Sequence, residues 1–227
     1  MIRRLSAACV LVCLAAPAPV VGSDGVAVTE ILPDEAFFNV ATCGAADPQA
    51  CTFRTLRWPK TNLTLAVVPT DIPTGRIFGW LFSVTVDYAL LQINAAGSAL
   101  HITRVDGTEA DILLRLTTIA EGENVPDVPG LTAAGVMGVG YASLWWDDTH
   151  RITKASILIS AEIAPQDIVS VVLEEVFQAT GPLFDIEGPA YEGVSILSQS
   201  SNATVTIAGQ DARLLRWLYP PQSQGTP

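Results

Sequence analysis

Apolar positions fall into short runs separated by proline- and glycine-rich punctuation. Leu63–Val68 (LTLAVV) has strand composition, and Pro69, Pro73 and Gly75 then mark a turn. From Arg76 to Ala96 the residues Ile77, Trp80, Leu81, Val84, Tyr88, Leu91 and Ile93 follow a helical stripe, which predicts a first long helix stopped at Gly97. Leu100–Arg104 and Asp111–Leu116 read as two short strands or one bent pair, followed by a long loop, Ala120–Gly130. Gly135, Gly138 and Gly140 punctuate a strand running to Trp146, as suits an edge or bulged strand. A polar turn, Asp147–His150, leads into a strand over Thr153–Ser160. The second long helix spans Asp167–Thr180, with Gly181–Pro182 ending it through backbone freedom and a missing amide hydrogen. A third helix covers Asp211–Tyr219, with Leu214, Leu215 and Leu218 on one side. Residues 23–52 are mixed in pattern, with a short strand or turn near Ala36–Val40. The order predicts an α+β fold: a mixed sheet, two long helices and a C-terminal helix.

The beginning of the chain changes the picture of where it works. Arg3 and Arg4 precede an apolar run, Leu5–Leu14, too short to span a bilayer; small residues follow, with Gly22–Ser23 as a cleavage point. This predicts a signal peptide over 1–22 and an exported protein, periplasmic or secreted; a lipoprotein signal ending at Cys9 or Cys13 fits the spacing less well. Cys9 and Cys13 would leave with the signal, so Cys43 and Cys51 are expected to pair as a disulfide in an oxidising compartment. The expected organisation is an N-terminal extension over 23–54, one domain over 55–220 and a disordered tail over 221–227. No segment after the signal has the ~18 uninterrupted apolar residues of a membrane span. The formal net charge of −11 and the absence of clustered Lys and Arg argue against nucleic-acid binding and suit a solvated acidic surface outside the cytoplasm, or else a cationic partner.

The densest chemistry lies in Glu174–Asp185 (EEVFQATGPLFD). This stretch resembles the active-site helix of metzincin-like peptidases of the zincin fold, whose pattern is H-E-x-x-H-x-x-G-x-x-H/D. Glu175 stands at the pattern's glutamate and Gly181 at its glycine. Glu174 replaces the first histidine and Gln178 the second, while the third ligand position falls on Phe184, with Asp185 next. Ser195–Leu197 resembles the family's methionine turn, with Leu197 at the methionine. Asp211 with Leu218–Tyr219 resembles the final helix of matrixin-type peptidases, Ala110–Ile112 their A-D-I strand, and Arg57–Trp58 their opening strand. The similarity spans about 55–220. The E-E-x-x-Q-x-x-G variant also resembles a bacterial family of exported zincin-like proteins without an established function.

The resemblance implies a fold more than a reaction. Family zinc is held by imidazoles at i and i+4, but this chain has two histidines, His101 and His150, neither in the motif. Glu174 and Gln178 share a helical face, and with Asp185 they make an oxygen set suited to Ca²⁺, Mg²⁺ or Mn²⁺. The other reading has no cofactor, with Gln178 hydrogen-bonding Glu174 or nearby backbone. Glu175 beside Glu174 forms a repelling carboxylate pair in which one pKa rises. Tyr141 and Trp146, on the predicted edge strand, are expected to line the cleft where the family takes an extended peptide. The leading expectation is a pseudo-peptidase binding module for an extended peptide or an envelope protein. The alternatives are a hydrolase with Glu175 as general base and an atypical divalent metal, and a structural envelope protein.

Overall fold

The computed structural model describes residues 25–51 and 54–221. The predicted signal over 1–22 and the predicted tail beyond Pro221 lie outside these residues. The chain folds as a mixed α+β protein. Its elements are β1 (Val26–Ala27), α1 (Asp34–Cys43), β2 (Asn62–Val67), α2 (Arg76–Ala95), β3 (His101–Val105), β4 (Ile112–Thr117), β5 (Asn124–Val125), β6 (Gly135–Val136), β7 (Gly140–Trp146), β8 (Ile152–Ser160), α3 (Ile168–Gln178), β9 (Ile186–Glu187) and α4 (Gly209–Leu218). The main sheet has the order β3-β2-β4-β8-β7, with β7 antiparallel to β8 and the other pairs parallel. The near-continuous apolar runs of β2, β4 and β8 suit a sheet covered on both faces. α2 packs on β3, α3 on β7 and β8, and the two helices pack on each other.

Two local expectations are corrected. Ala36–Val40 is neither strand nor turn but part of α1: Asp34 and Glu35 sit in its first turn, and Gly44, at φ 79°, closes it with a bond to the Val40 carbonyl. Phe37, Val40 and Ala41, at i, i+3 and i+4, enter the same core as the sheet, and Phe37 stacks on Tyr191 at 5.6 Å. The stripe read on α2 forms its inner face only in part: Ile93 is buried and Leu81 packs against the core. Phe82, Val86, Ala89, Leu90 and Ile93 are buried, whereas Ile77, Trp80 and Leu91 are 82%, 65% and 61% exposed. α2 is apolar nearly all round, so pattern alone does not select a face; the face packed on β3 and α3 includes the small buried residues Thr85 and Ala89 among the larger Phe82, Val86, Leu90 and Ile93. Its 20 residues have the length and composition of a membrane span, but a third of its most apolar stretch is buried in the core.

The glycine-punctuated strand is broken in two. Gly135–Val136 pairs with Asn124–Val125 inside the predicted loop, and Gly138 then turns the chain so tightly that a Cβ there would lie 3.1 Å from the Gly140 carbonyl oxygen. Val125, Met137, Tyr141 and Leu158 form a small second core beneath this loop. Cys43 and Cys51 form the disulfide expected from the sequence.

The end of α3 is fixed by partners distant in sequence. The Trp58 indole donates to the Ala179 carbonyl at 2.9 Å; the Tyr219 hydroxyl accepts from the Trp58 amide at 3.0 Å and donates to the Thr180 carbonyl. Tyr219→Phe leaves both of those buried backbone groups without a partner. We expect a loss of about 2 kcal/mol in urea unfolding, with native fluorescence otherwise unchanged.

Candidate functional site

α3 runs beside β7, the open edge of the main sheet, and the space between them is a cavity of about 540 Å³. Nearly every turn of α3 is buried: Ile168, Val171, Val172, Val176 and Phe177 all sit in the core. A helix surrounded in this way gives its polar residues little water, so Glu175 is only 7% exposed and Gln178 only 6%. β7 makes room for Glu175 by having no side chain at the contact. A Cβ at Gly140 would lie 2.3 Å from Glu175 Oε1 and 2.5 Å from its Cγ. The glycine in the strand thus marks a close approach, as strand glycines often do.

Glu175 Oε2 is buried and has no hydrogen-bond partner among the described residues. Burial, with the nearby Asp185 second, holds the Glu175 carboxyl well above the usual carboxylate range. Glu174 is pushed the same way, first by withdrawal from water, then by Asp185 and Glu175 and by a hydrogen bond with Asp185. Gln178 Nε2 donates to Asp185 Oδ1 at 2.7 Å. The site is therefore a protonatable carboxyl cluster with the Gln178 amide bonded to its Asp185 member.

Glu174, Glu175, Gln178 and Asp185 all line this one cavity, joined by Glu121 from the loop opposite. Asp185 rather than Phe184 reaches it because Phe184 turns the other way: its ring fills the space beside Gly44, where a Cβ would sit 2.8 Å from the ring. Tyr141 is in the cavity wall, its hydroxyl hydrogen-bonded to the carbonyls of Ala133 and Ala134 at 3.2 Å each. Trp146, at the far end of β7 past a bulge, packs against the main core and is not among the lining residues. His101 is on the outer strand β3, and His150, at φ 61°, is in the Asp147 turn; neither meets the cavity.

The donors do not fit zinc. The lining residues offer carboxylate and amide oxygens, with no imidazole or thiolate, and the Gln178 amide is already turned toward Asp185. Among the described residues no group of three or more His, Cys, Asp or Glu is arranged to hold a metal ion.

Below the cavity, Asp211 of α4 holds the Ser195–Leu197 turn. Its carboxylate accepts from Ser195 Oγ at 2.7 Å and from the Ile196 amide at 2.9 Å, and Ser195 Oγ in turn accepts from the Leu197 amide. Burial raises the Asp211 pKa to about 6 against the lowering effect of these bonds. Asp111 plays a similar role at β2, accepting from the Thr64 amide and hydroxyl and pairing with Lys60 at 2.8 Å.

Sequence reasoning did not assign Glu121 to the site or join Gly140 to Glu175; the isolated glycine in a strand pattern was the available signal. It also did not bring Arg54, Arg57, His150 and Arg151 together around a second, open hollow, which the bridge between Arg57 and Arg151 makes possible. No protein-family model matches the chain, and no curated protein matches it either.

Proposed function

We propose that this chain is an exported zincin-like pseudo-peptidase that binds an extended peptide along β7. The observation that carries this reading is the hydrogen-bonding phase of the edge strand. The Ser160 amide donates to the Val139 carbonyl while Gly140 stands opposite Ile159. In an antiparallel pair this turns the backbone groups of Tyr141, Ser143 and Trp145 toward β8 and those of Gly140, Ala142 and Leu144 outward. Among the described residues no backbone hydrogen bond outside the sheet reaches those outward groups. An open row of donors and acceptors beside a cavity is the arrangement that strand addition uses. The mixed sheet with its antiparallel edge beside α3, and the Asp211-held turn beneath, support the zincin-like part of the reading. The donor set supports the absence of zinc chemistry.

Selection from a displayed library of short random peptides tests the proposal. Ala142→Pro removes one outward amide without touching the ladder to β8, and proline is tolerated at sheet edges. Selected peptides should bind it at least about tenfold more weakly, with an unchanged circular dichroism spectrum. Unimpaired binding, or no selection at all, would sink strand addition. The orphaned Glu175 carboxyl favours one competing outcome: peptides recovered cleaved, with cleavage lost in Glu175→Gln, would make the protein a hydrolase with Glu175 as general base.

A further inference from the structure

The cavity beside β7 is lined by Glu121, Glu174, Glu175 and Asp185, and no Lys, Arg or His lines it. We propose that it receives a basic side chain, an arginine or lysine, from the peptide held along β7. This inference rests on the peptide-binding reading above and names the class of peptide.

Three observations point to a cationic side chain rather than to a generic polar one. The first is the state of the acceptors. The Gln178 amide is engaged with Asp185, and the Tyr141 hydroxyl with two carbonyls. Glu175 Oε2 is left buried and unpartnered, on a residue 93% removed from solvent. Once Glu175 gives up its proton, a buried carboxylate oxygen without a donor is costly, and the group that stabilises that ionised form must donate. Lysine brings three donors and arginine five, with no acceptor to clash with the surrounding oxygens. A neutral amide or hydroxyl would bring acceptor atoms up to the ionised carboxylates and leave their charge uncompensated.

The second is size and position. A cavity of about 540 Å³ is in the range that encloses small ligands, and a long basic side chain fits within it. Gly140 ties the cavity to the edge strand, because one residue both presents outward backbone groups and lies against the Glu175 carboxyl. Side chains of an added strand alternate between the two faces of the sheet, so one set is directed toward α3.

The third is charge. With a net charge of −11 the chain attracts cationic segments over distance, and the cavity concentrates that sign on its wall. The titratable groups around Glu175 and Glu174 are Asp185 after α3, Glu121 across the cavity and Asp211 on α4. All are acidic, so an entering cation displaces protons held by the cluster. Affinity therefore rises with pH as the cluster gives up its protons.

The experiment is calorimetric titration of the purified protein with three probes: a short acetylated, amidated alanine–threonine peptide with a central arginine, the same peptide with norleucine, and ethylguanidine. The arginine peptide should bind at least about tenfold more tightly than the norleucine peptide, and this advantage should vanish in Glu175→Gln and in Asp185→Asn. Equal affinity for the two peptides overturns the basic-side-chain assignment and leaves strand addition standing. Ethylguanidine binding as tightly as the arginine peptide, with Ala142→Pro indifferent, keeps the cationic pocket and removes strand addition. Binding of neither peptide overturns both. A one-to-one heat with Ca²⁺ or Mg²⁺ that the arginine peptide does not compete away overturns the proposal in favour of an inorganic cation site.

Discussion

Gly181→Ala should be among the most damaging single-methyl changes in the described chain, lowering stability by about 4 kcal/mol or preventing folding. Gly181 adopts φ +133°, a conformation that residues with a Cβ rarely take, and its missing side chain faces the Leu56 carbonyl oxygen at 2.5 Å. The contacting atom is backbone, so it cannot swing aside as a side-chain tip would. The position is also where α3 must stop: the Gly181 amide bonds to the Gln178 carbonyl, and the chain then turns so that Leu183 and Phe184 reach the Ala41 carbonyl. Asp185 enters the cavity only because this turn is made. Denaturant unfolding of Gly181→Ala followed by tryptophan fluorescence measures the effect. A loss below about 1 kcal/mol would mean that the turn relaxes freely, contrary to the geometry.

The second large effect is a fall in stability as pH rises. Glu174, Glu175 and Asp211 all have folded-state pKa values above their ordinary ones, chiefly through burial, with Asp211 at about 6. Between the ordinary carboxylate pKa and the raised one, the folded chain holds protons that the unfolded chain has lost. Unfolding free energy therefore falls with pH across that window. Its stabilising effect is complete below pH 4 and gone once pH has passed the folded values. For Asp211 alone a rise from 3.8 to about 6 corresponds to about 3 kcal/mol. Asp34 and Asp147 are shifted downward by hydrogen bonds and so act in the opposite sense, but both are solvent-accessible, where screening weakens them. The protein should unfold at a higher temperature at pH 5 than at pH 8. Glu175→Gln removes a buried ionisable group, keeps its shape, and should add about 1–2 kcal/mol at pH 8 while flattening the profile. A profile that rises with pH, or a Gln variant less stable at pH 8, would show that the cluster is ionised and well solvated in the folded chain.

The two effects together describe a site that works against stability. A protein optimised only to stay folded would place an apolar residue at 175 and any strand former at 140. Here a glycine and three carboxyls stand where apolar packing was available. Such local departures from the rules of a well-packed core are where function is sought.

Much of this was legible along the chain. The long helices, the strands of the main sheet and the Cys43–Cys51 bridge follow from period, punctuation and spacing, which are local properties. Glu174, Glu175 and Gln178 were legible as a candidate site because they stand at the positions of the metzincin-like pattern the stretch resembles, with Glu174 and Gln178 on one helical face. α1 was not, because its ten residues gain their stability from Phe37 against Tyr191 and from α4, contacts more than a hundred residues away. Nor was the inner face of α2, since both of its faces are apolar and only the fit to α3 distinguishes them.

By itself, then, the sequence determined the kinds of most elements, the donor types on α3 and the absence of imidazoles among them. Only the tertiary structure decided that Asp185 and not Phe184 joins the cluster and that Gly140 yields its space to Glu175. Each of these depends on which backbone lies within a few ångströms of another, and neither local propensity nor residue period carries that information.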